Sequence, residues 1–187
     1  SITLGVTLVA TQTPYERDSY DEMYDENAVY PTLVSTADEL KDVVAAAADG
    51  DVIALTSDVT LSADLTVSAD VTISGNGNAI EGYPVYVSTG NTVTFQNVNF
   101  ANTTAKTNAS SVYGSGFSGT MVFDGCEFGD SNWESIQITP KGDAEIIIRN
   151  CTFTATQAMK RFIHIQPADN NNYKLDITIE NCTFEGC

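Results

Sequence analysis

The stretch IIIRNCTF, residues 146–153, decides the fold, because three other segments repeat it almost position by position. These segments are VTFQNVNF (93–100), MVFDGCEF (121–128) and ITIENCTF (177–184). Each begins with a short apolar strand, continues through Asn or Gly and a small residue, and ends in Phe. Their starts are 28, 25 and 31 residues apart. A constant core with spacers of variable length is typical of stacked β-structure whose loops vary while its wall does not.

Alternation within the repeat predicts which side chains face inward. Ile146 and Ile148 are expected to point inward, as strand residues two apart do. Asn150 is expected at a tight corner, since Asn tolerates left-handed backbone angles better than most residues. The corner resets the alternation, so that Phe153 also faces inward. Repeats stacked about 4.8 Å apart then form columns of like residues. The predicted columns are Phe95–Phe123–Ile148–Ile179, Phe100–Phe128–Phe153–Phe184 and, at the corner, Asn97–Gly125–Asn150–Asn181.

Three of the four cysteines occupy one position of this repeat. Cys126, Cys151 and Cys182 are equivalent to Val98, and Cys187 is the fourth. A buried Cys packs like a small apolar residue. Adjacent repeats are close enough for one disulfide, but three stacked thiols cannot all pair. We expect reduced thiols in the core and no metal site, because side chains in one column do not converge tetrahedrally.

The first 34 residues differ in composition from the rest. Residues 1–13 alternate apolar and polar as a strand does, which is not the pattern of an export signal. We expect a chain made without an export signal; a mature chain that has lost one is the alternative. Residues 14–34 lack the aliphatic residues for a core of their own, so residues 1–34 are predicted to form an extended arm. The residues assigned to this assembly arm are Tyr15, Asp18, Tyr20, Asp21, Glu22, Tyr24, Asp25 and Glu26.

Residues 35–49 carry the helix signals of the chain. Thr36 and Glu39 stand at the spacing of a capping box. Leu40 and Val44 belong to one apolar stripe, and Gly50 provides a stop. A short helix of this kind is marginal alone, so its stripe is expected to pack on a sheet.

The segment that follows the helix carries a family resemblance. Gly50-Asp51-Val52-Ile53 leads into short strands that end in ISGNG (73–77). This order resembles the opening of right-handed parallel β-helix proteins of the pectin-lyase-like superfamily, in which the helix covers the first coil. The resemblance implies an all-β fold of five to six coils over 35–187, with a capping helix at 35–49 and coils from residue 50 onward.

The bulk composition excludes some partners. The 187 residues include 25 acidic and eight basic side chains, for a net charge of −17. Such a surface repels phosphate backbones, so no nucleic-acid partner is expected. No apolar run approaches the roughly 18 residues of a membrane span.

The resemblance implies that an enzyme must be considered, because the superfamily hosts polysaccharide lyases and hydrolases. The lyases use an acidic calcium cluster with an Arg or Lys base, and the hydrolases use neighbouring Asp residues with His-Gly and Arg-x-Lys segments. Here His164 is not followed by Gly, and Lys160-Arg161 lacks that spacing. The candidate carboxylates Asp124 and Glu180 would lie about 10 Å apart across two repeats. We expect no enzyme activity, no catalytic residue, no cofactor and no metal.

These observations predict a non-enzymatic structural or attachment protein of an external assembly. The first expectation is a viral capsid-decoration, fibre or spike protein in the virion, homo-oligomeric, with a trimer as one option, and anchored by residues 1–34. The alternatives are a bacterial cell-surface adhesin module and a polysaccharide lyase or hydrolase whose site is not recognised. A cell-surface glycan is a further candidate partner. Aromatic residues expected to be exposed in loops, where they either cover the wall or stack on a sugar, are Tyr113, Phe117, Trp133 and Tyr173.

Overall fold

The structure, a computed structural model, describes residues 29–100 and 105–186. The chain divides into Ser1–Tyr30 and Pro31–Cys187, and the fold concerns the second unit. The residues assigned to the arm between Tyr15 and Glu26, and Cys187, lie outside the described residues. The described elements are β1 Thr32–Val34, α1 Ala37–Ala46, β2 Asp51–Leu55, β3 Val59–Thr60, β4 Leu65–Val67, β5 Val71–Ser74, β6 Ile80–Glu81, β7 Val85–Val87, β8 Asn91–Gln96, β9 Asn99–Phe100, β10 Val112–Asp124, β11 Glu127–Phe128, β12 Glu134–Arg149, β13 Thr152–Ala155, β14 Arg161–Ile165, β15 Leu175–Glu180 and β16 Thr183–Gly186.

The predicted all-β class is confirmed, since the described part of the chain is mostly parallel β-sheet. The largest sheet has ten strands, in the order β1-β2-β5-β8-β10-β12-β14, with β15 on β12 and with β7 linking β4 to β10. A second sheet has the order β16-β13-β11-β9, and β3 pairs with β6. The long strands β10 and β12 each pair with different strands along their first and second halves. For example, β10 pairs with β7 through Val112 and Tyr113 and with β8 from Gly119 onward.

Strand pairing confirms the spacing read from the repeats. Val93 pairs with Met121, Met121 with Ile146, and Ile146 with Ile177. The register therefore aligns equivalent positions of successive repeats. The same pairings form the predicted column Phe95–Phe123–Ile148–Ile179.

The phenylalanine column is also confirmed. Phe100, Phe128, Phe153 and Phe184 pair in succession. Their ring centroids are 5.0, 4.7 and 4.9 Å apart, and the ring planes are within 14° of parallel. The first three rings are fully buried. Burial of one such ring contributes about 1.5–3 kcal/mol, and each repeat needs its neighbours to achieve that burial.

The corner position has the predicted left-handed backbone. Asn97, Asn150 and Asn181 have φ of 49°, 56° and 52°, and Gly125 has φ of 66°. A Cβ at Gly125 would lie 2.4 Å from Oδ1 of Asn97, so the exposed Asn97 side chain would have to move. Asn or Gly is therefore favoured at each corner by the left-handed backbone conformation.

Helix α1 is shorter than the predicted range of 35–49. The capping box is confirmed, with Thr36 Oγ1 accepting from Glu39 N and Glu39 accepting from Thr36 N. The helix ends at Ala46 because Ala47 is extended, with ψ of 139°. Leu40 and Val44 are buried, so the apolar stripe packs on the core as expected.

Residues 32–34, placed in the predicted arm, form β1 of the main sheet. Thr32 and Val34 pair in parallel register with Ile53 and Leu55 of β2. Val34 is buried in the core.

The thiol column is confirmed over the described residues. Cys126, Cys151 and Cys182 are free, with the first two buried. Each thiol donates to a carbonyl of the preceding repeat, as in the 3.3 Å contact from Cys126 Sγ to Phe95 O. The hydrogen bond with Cys151 and burial both raise the pKa of the Cys126 thiol, and burial raises the pKa of Cys182. Cys126 and Cys182 therefore resist ionisation, whereas the hydrogen bond with Cys126 lowers the pKa of Cys151.

Within the part of the chain that the structure describes, no helix has the length and apolar character needed to cross a membrane.

Candidate functional site

A row of partly exposed side chains crosses one face of the ten-stranded sheet. Tyr86 of β7 pairs with Tyr113 of β10, Tyr113 with Gln137 of β12, and Gln137 with His164 of β14. The residues on either side of each of the first three point into the core, and alternation therefore turns these side chains outward. We call these four residues the Tyr–Gln–His row. The buried flanking residues are Val85, Val87, Val112, Gly114, Ile136 and Ile138.

The two tyrosines of the row are stacked on each other. The ring centroids of Tyr86 and Tyr113 are 4.7 Å apart, with 8° between the planes. Tyr113 Oη accepts a 2.8 Å hydrogen bond from the backbone N–H of Ser110. The buried hydroxyl of Ser110 also donates to Gln137 Oε1 at 3.2 Å. These contacts fix the orientation of the row in advance of any ligand.

A cation lies at the Tyr86 end of the row. Lys106 Nζ is 5.4 Å from the centroid of the Tyr86 ring and 3.4 Å from its hydroxyl oxygen. The same Nζ is 2.5 Å from Asp64 Oδ2. The hydrogen bond to Asp64 raises the pKa of Lys106, so this end of the row carries a Lys–Asp ion pair.

A buried carboxylate lies at the His164 end of the row. The side chain of Glu134 is fully buried, and its Oε2 is 3.0 Å from Nδ1 of His164. Its Oε1 is 3.5 Å from Nε of Arg161. A buried carboxylate needs such partners, since its desolvation costs several kcal/mol when it is ionised and unpaired. Glu134 Oε1 and the hydroxyls of Ser131 and Ser135 are buried without a hydrogen-bond partner.

Both ring nitrogens of His164 are engaged within the chain. Nδ1 faces Glu134, and Nε2 is 3.0 Å from Oε1 of Gln166. A general base must direct one nitrogen at the substrate. The observed contacts instead hold the imidazole in a fixed orientation at the end of the row.

The four predicted aromatic residues lie in different environments. Tyr113 lies inside β10 and not in a loop as predicted, because it pairs with Tyr86 and Gln137; it belongs to the Tyr–Gln–His row. The expected exposure of Phe117 is wrong, because β10 continues through this position and turns the ring into the core, where it is fully buried. Trp133 is half-buried, with Lys160 Nζ 3.7 Å from its ring centroid. Tyr173 lies in a separate loop, where its hydroxyl donates to Asp169 and accepts from Asn171.

Sequence reasoning missed Tyr86, Gln137, Lys106 and Glu134 as parts of one site. A signal for the row was present, since residues 86, 113, 137 and 164 are 27, 24 and 27 apart, close to the repeat spacing. No sequence signal distinguishes Lys106 or Glu134, because their partners come from loops and from a strand 30 residues away.

Asp124 and Glu180 lie in one row of paired residues, two repeats apart as predicted, with Arg149 between them. Arg149 pairs with Asp124 on one side and with Glu180 on the other. Arg149 Nη2 is 2.8 Å from Asp124 Oδ2. The Arg149 guanidinium therefore engages one of the two candidate carboxylates, that of Asp124.

Among residues 29–100 and 105–186, no group of three His, Cys, Asp or Glu side chains is arranged as ligands of a metal ion. No protein-family model, no curated protein and no solved structure matches this chain.

Proposed function

We propose that this protein is a non-catalytic attachment protein built on a right-handed parallel β-helix of five to six coils, similar to the pectin-lyase-like superfamily. Support comes from the order of the strands. In each repeat the chain contributes one strand segment to each of three parallel rows in the same order. The first row contains β4, β7, β10, β12 and β14, and the second contains β2, β5, β8, β10, β12 and β15. The third row, which follows the corner, contains β9, β11, β13 and β16. A chain that repeats this order of rows winds as a coil. Parallel crossovers are right-handed in about 98% of cases, so the coil is expected to be right-handed. Helix α1 is the cap of the first coil.

The observation that carries the attachment function is the Tyr–Gln–His row. The stacked pair of Tyr86 and Tyr113 forms an apolar ridge, and Gln137 and Lys106 provide hydrogen-bonding groups along it. Ligands with apolar faces and many hydroxyls need that combination. Side chains held by strands and internal hydrogen bonds lose little entropy on binding. The proposed ligand is a cell-surface glycan.

The biological setting that we propose is an external assembly. The protein is a viral capsid-decoration, fibre or spike protein located in the virion, with residues 1–34 as its anchor to other subunits. The high negative charge keeps such a surface soluble. A bacterial cell-surface adhesin is the alternative that would use the same row; an export signal encoded ahead of Ser1 would favour it.

A second candidate, a polysaccharide lyase or hydrolase, is favoured by one observation. The buried Glu134 beside His164 is the kind of paired titratable group found in active sites. In that case the carboxylate orients the imidazole, and Gln166 must leave Nε2 when substrate binds.

A glycan array tests the attachment function. The fluorescently labelled chain is applied to a panel of neutral and acidic oligosaccharides. We expect the Tyr113→Ala variant to bind its glycans about tenfold more weakly, because one aromatic contact contributes about 1.5 kcal/mol. Tyr173→Ala, which removes a half-buried tyrosine from a separate loop, is the matched control and should bind as the parent does.

Three results would contradict the proposal. These are the absence of binding to every glycan, equal binding by Tyr113→Ala, and release of unsaturated or reducing ends from a bound oligosaccharide. The last result would establish the enzyme instead.

Light scattering tests the anchoring role of the N-terminal segment. Because Thr32–Val34 belong to the main sheet, the truncation should end before Pro31 and so spare β1. We expect an oligomer for the full chain and a smaller species for the truncated one. An unchanged mass would contradict the anchoring role and leave the glycan result unaffected.

A further inference from the structure

Strand β15 has an unpaired edge beside exposed apolar side chains. In the part of the chain that the structure describes, β15 pairs with β12 alone, and β16 pairs with β13 alone. Ile177, Ile179 and Phe184 are 47%, 47% and 48% exposed, whereas their equivalents in the preceding repeat are buried. An edge that combines free backbone groups with apolar residues favours pairing with another strand.

The backbone groups on the free edge can be assigned to particular residues. The carbonyls of Lys174 and Glu180 accept from the N–H groups of Ala144 and Asn150, which lie on the β12 side. Successive residues direct their backbone groups to alternate sides, so residues 174, 176, 178 and 180 face β12. Leu175, Ile177 and Ile179 therefore direct N–H and C=O to the free edge.

We propose that β15 pairs antiparallel with β15 of a second copy of this chain, about a two-fold axis at Ile177. In this register Ile177 lies opposite Ile177 of the second copy, and Leu175 lies opposite Ile179. All three positions direct their backbone groups at the partner, as hydrogen-bonded antiparallel pairs require. The interface is isologous, and it covers apolar side chains with their own equivalents.

Charge favours this register over the two whose axis is shifted by one residue. An axis at residue 175 would also put Lys174 opposite Asp176, but it would leave Ile179 without a partner inside β15, which begins at Leu175. With the axis at Ile177, Lys174 lies opposite Glu180, and Asp176 lies opposite Thr178. An axis at residue 176 would put Asp176 opposite itself, and an axis at residue 178 would put Asp176 opposite Glu180. Like charges directly opposite each other are destabilising, and opposite charges are stabilising. Lys174 already contacts Asp176 at 2.7 Å, so its ammonium group would lie between two carboxylates.

The self-association does not depend on the ligand row, because it uses the edge of β15 and neither tyrosine of the row. A failure of glycan binding therefore leaves it untouched, and a monomeric protein leaves the glycan proposal untouched. The self-association proposal states that one partner in the proposed assembly is a second copy of this chain.

Cysteine cross-linking tests the register. In a hydrogen-bonded antiparallel pair the Cα atoms are about 5.5 Å apart, which a disulfide can span. Under mild oxidation we expect Ile177→Cys to give a covalent dimer on a non-reducing gel. Thr178→Cys is the matched control, since residue 178 lies opposite residue 176 and not its own copy. Cross-linking of Thr178→Cys and not of Ile177→Cys would overturn the register.

A charge-reversal cycle tests the interface without cysteine chemistry. The dimer dissociation constant is measured by sedimentation equilibrium at about 0.15 M salt. We expect Lys174→Glu and Glu180→Lys each to raise it about tenfold, because two symmetric contacts change. The double variant should recover most of the loss, and Lys41→Glu on helix α1 should have no effect.

Two outcomes would overturn the self-association itself. One is a monomer at every concentration, both for the full chain and after removal of residues 1–28. The other is a dimer whose dissociation constant is the same in both single variants and in the parent.

Discussion

Asn150 Nδ2 donates a 2.9 Å hydrogen bond to Oδ1 of Asp124, so the corner of one repeat binds a carboxylate of the repeat before it. Arg149 Nη2 contacts the other oxygen of the same carboxylate at 2.8 Å. The Asn150 contact and then the Arg149 contact lower the pKa of Asp124. Neighbouring repeats are thus joined by a polar clamp on the surface as well as by apolar columns inside.

The clamp predicts a pH-dependent contribution of Asp124 to stability. Its pKa in the folded protein lies below the ordinary value of 3.8, so the stabilisation is complete above that pH and is lost as the pH falls through the folded pKa. We expect Asp124→Asn to lower the free energy of unfolding by about 1–2 kcal/mol at pH 7, measured with urea. The difference from the parent should shrink below pH 3.8. Asp42→Asn on α1 is the control; a difference that is the same at every pH would contradict the clamp.

The corner column predicts a specific cost for a side chain at Gly125. Gly125 and Gly116 have similar φ, 66° and 62°, but only at Gly125 would a Cβ meet Asn97, at 2.4 Å. Both alanine variants incur about 1 kcal/mol of backbone strain. We expect Gly125→Ala to lose up to about 1 kcal/mol more than Gly116→Ala in urea unfolding, because the Asn97 side chain must move. Equal losses would show that the corner is not crowded.

The phenylalanine column predicts a gradient of stability effects along the fold. Phe128 lies between two parallel rings and is fully buried, whereas Phe184 is 48% exposed at the last repeat. We expect Phe128→Ala to lower the free energy of unfolding by about 3–5 kcal/mol and Phe184→Ala by about 1 kcal/mol. Both are measured by chemical denaturation at a concentration where the chain is monomeric. A larger loss at Phe184 would contradict the stacking order.

The thiol column predicts that Cys151 is replaceable by valine. Val98 occupies the equivalent position two repeats earlier and is also buried. We expect Cys151→Val to change the free energy of unfolding by less than about 1 kcal/mol. Cys151→Ser places a more polar group in the column and should cost about 1–3 kcal/mol. Equal losses for the two variants would indicate a role for the sulfur beyond packing.

The columns were predictable from the sequence because each depends on a local rule applied at every repeat. Alternation places Ile146 and Ile148 inward, and the left-handed preference of Asn places Asn150 at the corner. These rules involve a few adjacent residues. Repetition along the chain then multiplies a weak local signal, and the strand pairings confirm the register that follows from it.

The candidate site was less predictable because its orientations depend on distant residues. Phe117 is buried because β10 continues through this position, and the amino-acid composition of the segment does not reveal that continuation. Glu134 is held by His164, 30 residues later, and it is an acidic side chain in a segment that local patterning assigns to a polar loop. Tyr86 becomes part of a site only when the register brings Tyr113 against it.

The spacing of the repeats can be measured directly with spin labels on one outward column. Thr72, Thr94, Val122, Ile147 and Thr178 pair in succession. Cysteines at Thr72 and Thr178, in a chain whose native cysteines are replaced by valine or serine, carry the labels. Pulsed electron resonance should give about 19 Å between the labelled backbone sites, four steps of about 4.8 Å. A distance above about 30 Å would contradict the stacked register on which both the Tyr–Gln–His row and the β15 edge depend.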